Sequence, residues 1–180
     1  SLIHRFETQV NYLVQEISVS VVGGWLREYY DQDRSGNLAI RKTPLDYRSL
    51  RRLAKWRNPI NHPTVMFRKS HVLACGSFES CHFFEDYFLW AKMLQQGFIL
   101  RNIPQVLVET NIDDSYFLRR GGFPYVKYEF LFIKKLVGIG FLTPQRALIF
   151  FVTRLPIKLL PGYIRKSLYK LVLRTKNGGE

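Results

Sequence analysis

The chain has 180 residues, of which 47% are hydrophobic and 15% aromatic, enough to fill one core and too much for an intrinsically disordered segment. Its net charge of +13 is unevenly placed: thirteen of the basic residues and one acid, Glu129, fall between Arg119 and Lys176. A basic segment that is also rich in Leu, Ile and Phe fits an anionic membrane surface better than a phosphate backbone, and no RRM, KH or zinc signature points to nucleic acid.

Residues 3 to 16 read as a helix with Ile3, Phe6, Val10, Leu13 and Val14 on one face. The opening SLIHRFETQVNYL lacks the pattern of a secretory leader, which points to a cytoplasmic setting. VSVVGGWLREYY, 19 to 30, reads as a strand in which Gly23 and Gly24 allow a bulge or a close backbone approach. QDRSGN is a turn, and LAIRKTP returns as a second strand that should pair with the first. Asp46 is a good N-cap for a helix over DYRSLRRLAKWRN, with Leu50, Leu53 and Trp56 on its apolar side. NPINHPTVMFRKS reads as extended, because Pro59 and Pro63 disfavour helix and TVMFR alternates as a strand does. HVLACGSF is a short helical turn ended by Gly76. Cys75 and Cys81 stand without a second pair, so they read as reduced thiols in or near the core.

From Glu85 to Gln96 the residues Phe88, Leu89 and Met93 recur at helical spacing, with Gly97 at the C-terminal cap. FILRNIP and QVLVETN read as two short strands around Pro104, followed by a helix from about Ser115 to Val137, broken or preceded by GGFP at 121 to 124, and another from Pro144. The closing GYIRKSLYKLVLR is amphipathic, with Arg165, Lys166, Lys170 and Arg174 around its polar side. The apolar stretch before it is interrupted by Arg154, Pro156, Lys158 and Pro161, too soon for the ~20 residues of a membrane span. It reads either as core helices with solvated lysines or as an interfacial membrane-binding element.

Glu85 and Asp86 open the helix of the eighties among aromatic neighbours, in HFFEDYFLWAKMLQQGF. Two readings are open. Acids in a first turn are favoured by the macrodipole, at roughly 0.3 to 1 kcal/mol each, and need no chemistry. Alternatively, a fixed helix start aims a carboxylate at a substrate hydroxyl as a general base.

The order NPINHPTVMFRKS, a loop ending in glycine, EDYFLWAKMLQQGF and ILRNIPQVLV resembles the second half of a family 2 inverting glycosyltransferase of the GT-A fold, the type that builds bacterial surface polysaccharides. The resemblance covers roughly residues 1 to 112. It rests on the ED-x-x-LW element together with the HPTVMFR strand. It implies a mixed α/β fold, the C-terminal half of a Rossmann-type domain with a small sheet flanked by helices, and a helical C-terminal extension over 113 to 180. By the same resemblance Asp86 is the catalytic base and Glu85 orients it or binds acceptor hydroxyls. His62, Asn61 and Arg68 lie near the acceptor, with structural roles as the other reading of each. Trp90 is either core or an aromatic platform for a sugar ring.

The same family implies a nucleotide-sugar donor, a saccharide or lipid-linked acceptor, and a Mg2+ or Mn2+ ion held by an Asp-x-Asp motif ahead of the first helix. That motif is missing here: DQD at 31 to 33 lies in a turn, and Asp113-Asp114 follows the last strand. The chain therefore reads as the acceptor half of a longer enzyme, binding no metal itself and inactive alone. Its other expected partners are an anionic membrane at the inner face of the cytoplasmic membrane, through Arg165, Lys166, Lys170 and Arg174, and a second copy in a homodimer. The alternative is a non-catalytic interaction domain or a basic nucleic-acid or membrane-binding module.

Overall fold

A computed structural model describes residues 1–29, 38–113, 119–165 and 167. The architecture is mixed α/β, a four-stranded sheet flanked by helices, as expected. Its axis is β1 (Val19–Tyr29), whose β-branched start and paired glycines suit a strand buried on both faces. Along one edge β1 pairs in parallel with β4 (Ile99–Asn111). Its other edge takes two antiparallel strands in succession, β3 (Met66–Phe67) against Val21 and Val22, and β2 (Leu38–Arg41) against Leu26 to Tyr29.

The glycines of β1 permit a close approach. A Cβ on Gly23 would stand 2.5 Å from Asn102 Oδ1, and one on Gly24 2.5 Å from Leu107 Cδ1. Immediately after Gly24 the register jumps from Ile103 to Val106, which loops Pro104 and Gln105 out of the ladder. The two strands expected around Pro104 are therefore one bulged strand, in which the residue lacking an N–H sits where no ladder bond is required.

A second correction concerns HPTVMFR, where only Met66 and Phe67 are strand. His62–Thr64 instead form a 3-10 turn, because the Thr64 hydroxyl donates to Asn61 O at 2.7 Å and accepts from Gly24 N at 2.9 Å. Helix α1 (Arg5–Gln15) lies where the periodicity places it, yet of its apolar stripe only Leu13 is buried, against Val19, Val22 and Ile103, while Ile3, Phe6, Val10 and Val14 face outward. A polar anchor overrides that stripe: Gln9 is fully buried, and its amide donates to Val22 O and Thr64 O at 3.0 and 2.8 Å.

Helix α2 (Tyr47–Leu53) starts at Asp46, whose Oδ1 accepts from Ser49 N at 2.9 Å. Leu50 is buried as expected, whereas Trp56 lies beyond the helix and is half exposed. Helix α3 (Lys69–Ala74) is ended by Gly76 in the left-handed region. Helix α4 (Glu85–Gln95) is buried all round from Tyr87 to Leu94 and is ended by Gly97, also left-handed.

Helices α5 (Gly122–Gly138) and α6 (Pro144–Leu159) close over α4. Phe132, Leu136 and Phe150 join Trp90 and Leu94 in one core, and Phe132 stacks on Phe84 at 4.6 Å. The helices of the basic region thus share the core of α4. Between them Glu129 is buried against Arg154, with 2.6 Å from Oε1 to Nε. Pro156 lies inside α6 without ending it. Among the described residues no helix is long and apolar enough to cross a membrane.

Cys75 and Cys81 are both buried and free, and burial pushes the Cys81 thiol up to about 11. Only on the order of one in a thousand Cys81 side chains is then thiolate at pH 8. Cys81 should react with a disulfide reagent only after denaturant is added. Rapid labelling of the folded chain would contradict its placement.

Candidate active site

The carboxyl ends of two parallel strands leave a crevice where ligands commonly bind. Here the ends of β1 and β4, through Glu28 and Thr110 to Ile112, form the floor of a cavity of about 420 Å3. One wall is the loop 57–63 together with the start of α4. The other comes from Tyr125 of α5, from α6 and from the turn after it.

Asp86 stands in the first wall with 22% of its side chain exposed. Its Oδ2 accepts a 2.7 Å hydrogen bond from Asn58 Nδ2. The orientation of that amide is fixed from its other end, where Asn58 Oδ1 accepts from Ile60 N at 3.3 Å. His62 Nδ1 lies 4.0 Å from the same Asp86 oxygen, and its ring packs obliquely near Trp90. Asp86 Oδ1 makes no hydrogen bond among the described residues. A carboxylate in a cavity lining, with one oxygen clamped and the other without a hydrogen bond, can accept a proton from a bound hydroxyl. Just before α4, Phe83 lines the cavity with a φ of 69°, a conformation costing a non-glycine residue about 1–3 kcal/mol and concentrated at functional sites.

The two adjacent acids therefore part company. Asp86 lines the cavity, whereas Glu85 is half-buried outside it. His62 and Asn61 also reach the lining. The Asn61 amide, however, is engaged with the backbone, donating to Gly24 O and Arg41 O at 2.9 and 3.0 Å. Arg68 does not come near. It sits at the opposite end of β1, where its guanidinium donates to Val19 O at 2.9 Å and to Leu13 O. Trp90 is sealed in the core and offers no face to a sugar. Arg165, expected to face lipid, lines the cavity instead. Lys166, Lys170, Arg174, Asp114 and the DQD turn lie outside the described residues.

The cavity has residues that the sequence reading missed. Glu28 is buried in its floor, with Arg41 Nη1 at 3.9 Å. The period-2 pattern of β1, which puts Gly24, Leu26 and Glu28 on one face, is the signal that could have found it. Asn58, Tyr125 and Lys158 carry no comparable local signal. Lys158 holds its ammonium 4.6 Å from the Tyr125 ring centre. Burial, and then the charges of Arg154, Arg120 and Arg165, bring its pKa down to about 8. Among the described residues no three carboxylate, histidine or cysteine side chains converge as metal ligands. The cavity lining holds two carboxylates, Glu28 and Asp86.

No protein-family model and no solved structure matches the chain. It is similar to three curated proteins. An uncharacterized glycosyltransferase of Haemophilus influenzae is 32% identical over 94% of this chain and 62% of its own length. The UDP-Gal:alpha-D-GlcNAc-diphosphoundecaprenol beta-1,3-galactosyltransferase of Escherichia coli is 30% identical over 95% and 62%. The amylovoran biosynthesis glycosyltransferase AmsE of Erwinia amylovora is 28% identical over 92% and 61%. The chain thus spans about 62% of the length of these relatives.

Proposed function

We propose that the chain is the acceptor-side part of an inverting, family 2, GT-A glycosyltransferase and that Asp86 is its general base. The observation that carries this reading is the Asp86 carboxylate, fixed by Asn58 at 2.7 Å and lining a cavity at the carboxyl ends of two parallel strands. Three glycosyltransferase relatives support the class.

The acceptor enters the cavity with a sugar hydroxyl beside Asp86 Oδ1. As the hydroxyl oxygen forms its bond to the anomeric carbon of a nucleotide sugar, its proton passes to Asp86. The bond from that carbon to the donor phosphate breaks on the opposite face, and the nucleoside diphosphate leaves with the electron pair. A single displacement inverts the anomeric centre and needs one carboxylate, unlike glycoside hydrolysis with its two. The donor, and any Mg2+ or Mn2+ ion, belong in this reading to the length of the relatives that the chain does not match. The acceptor is lipid-linked, by analogy with the Escherichia coli relative. Replacing Asp86 with asparagine in a full-length transferase carrying this segment tests the reading; transfer at the unchanged rate would end it.

In this reading a lipid-linked acceptor brings the chain to the cytoplasmic face of the membrane, and exposed apolar side chains of α6 support a contact with it. Leu148, Ile149, Val152, Ile157 and Leu159 are each about half exposed or more, in the part of the sequence that carries the excess of basic residues. Deleting the region from 141 onward would remove Phe141, Leu142, Ala147 and Phe150 from the core, so a surface variant is the better probe. Ile149→Glu with Val152→Glu should lower co-sedimentation with anionic phospholipid vesicles by tenfold or more, since each apolar side chain withdrawn from water contributes about 1.5 to 3 kcal/mol. Unchanged sedimentation would contradict the membrane face.

A further inference from the structure

We infer that the basic part of the cavity lining formed by Arg120, Lys158 and Arg165 is a subsite for the diphosphate that joins an acceptor saccharide to its lipid. This rests on the reading of the cavity as an acceptor site.

Six basic and two acidic side chains line one cavity, a charge density that is costly to hold together in partial burial without a matching anion. The basic side chains are not all alike. Arg154 has Glu129 behind it at 2.6 Å, and Arg41 has Glu28 at 3.9 Å. Lys158 feels Glu129 only as a neighbouring charge, and neither Lys158 nor Arg165 makes an ion pair among the described residues. Arg165 is nonetheless fixed: its Nη1 donates to Lys158 O at 3.2 Å, and its Nε is buried with no hydrogen-bond partner among the described residues. A planar guanidinium beside an ammonium matches adjacent phosphoryl groups, the one bidentate and the other a point charge.

The surroundings select the carrier of that diphosphate. Phe123, Ile157 and Tyr163 flank the three basic residues in sequence, and all are exposed, Phe123 at 82%. Ile157 also lines the cavity. Apolar side chains beside a basic pocket suit the first prenyl units of a lipid, where a nucleoside would look for hydrogen-bonding partners. A ligand that occupies the cavity thus has its diphosphate at the basic wall and its sugar toward Asp86.

The test is calorimetric titration of the chain with a soluble diester, N-acetylglucosaminyl diphospho-decanol, against the matching monophosphate diester and against UDP. The diphosphate diester should bind at least tenfold tighter than the monophosphate. Lys158→Gln and Arg165→Gln should each weaken it about tenfold, with Lys158→Arg restoring most of the loss and circular dichroism unchanged. Its affinity should also fall as pH rises through about 8, where Lys158 loses its proton. Lys158 faces Glu129 and Tyr125 of α5, Arg154 of its own helix, and Arg120 and Arg165, and among these the arginines keep their charge through that range. Affinity indifferent to both glutamine variants would overturn the subsite. UDP binding as tightly, with the same sensitivity to Lys158→Gln, would assign the wall to a nucleotide and overturn the lipid assignment. The titration reads binding and not transfer. Indifference to Lys158 would leave the base assignment standing, and unchanged transfer by Asp86→Asn would leave this subsite standing.

Discussion

Replacing Asp86 by asparagine is expected to lower kcat for sugar transfer by about 10^2- to 10^4-fold, the range contributed by a positioned general base. The amide matches the carboxylate in shape, so the cavity keeps its volume. What changes is the ability of the oxygen facing the acceptor to take a proton. The Asn58 contact can survive because an asparagine oxygen at the Oδ2 position accepts the same hydrogen bond. KM for the acceptor should therefore move far less than kcat, a pattern that separates lost proton transfer from lost binding. Asn58→Ala should give a smaller fall of the same kind, since it frees the carboxylate without removing it. Steady-state transfer assays on both variants, with melting curves to confirm the fold, provide the check. A large rise in KM with kcat intact would make Asp86 a binding residue.

Arg154→Met is expected to destabilise the fold by about 3 to 5 kcal/mol, the cost of leaving one member of a buried ion pair alone. Glu129 is 1% exposed, and the Arg154 guanidinium is its ion-pair partner, 2.6 Å away. The same guanidinium donates to Trp56 O at 3.1 Å, tying α6 to the segment after α2. Against a typical domain stability of roughly 5 to 15 kcal/mol the loss is large. At this chain length it corresponds to a fall in Tm of roughly 6 to 20 °C. Glu129→Leu combined with Arg154→Met should recover most of it, because replacing both partners by apolar side chains leaves no charge unpaired. Chemical denaturation of the two variants measures the difference. Equal stability of the single variant and the wild type would mean that the pair is solvated.

Local rules carried much of the fold. The glycines after α3 and α4, the Asp46 cap and the proline start of α6 are signals written within a few residues, and each element boundary follows from them. The class of fold came from the resemblance to half of a glycosyltransferase rather than from these local signals. Long-range hydrogen bonds were not legible. Nothing in the neighbourhood of Gln9 says that its amide will anchor α1 and turn most of an apolar stripe outward, or that Thr64 will convert an expected strand into a 3-10 turn. Spacing alone left Asp86 open between a capping acid and a base, and only the resemblance singled it out. Glu85, one residue earlier, was expected to share the site, and the cavity lining leaves it out. The basic wall was misread for a related reason. Arg165 reads in the sequence as one more cation on an amphipathic surface, and it is the fold that brings it into the cavity lining.

The most direct measurement is a structure of a full-length transferase carrying this segment, bound to a non-transferable donor and the acceptor diester. The expected result is the attacking sugar hydroxyl within about 2.6 to 3.2 Å of an Asp86 carboxylate oxygen, with the anomeric carbon of the donor on the hydroxyl's far side. A hydroxyl held by another base, with Asp86 closed off in an ion pair, would contradict the account.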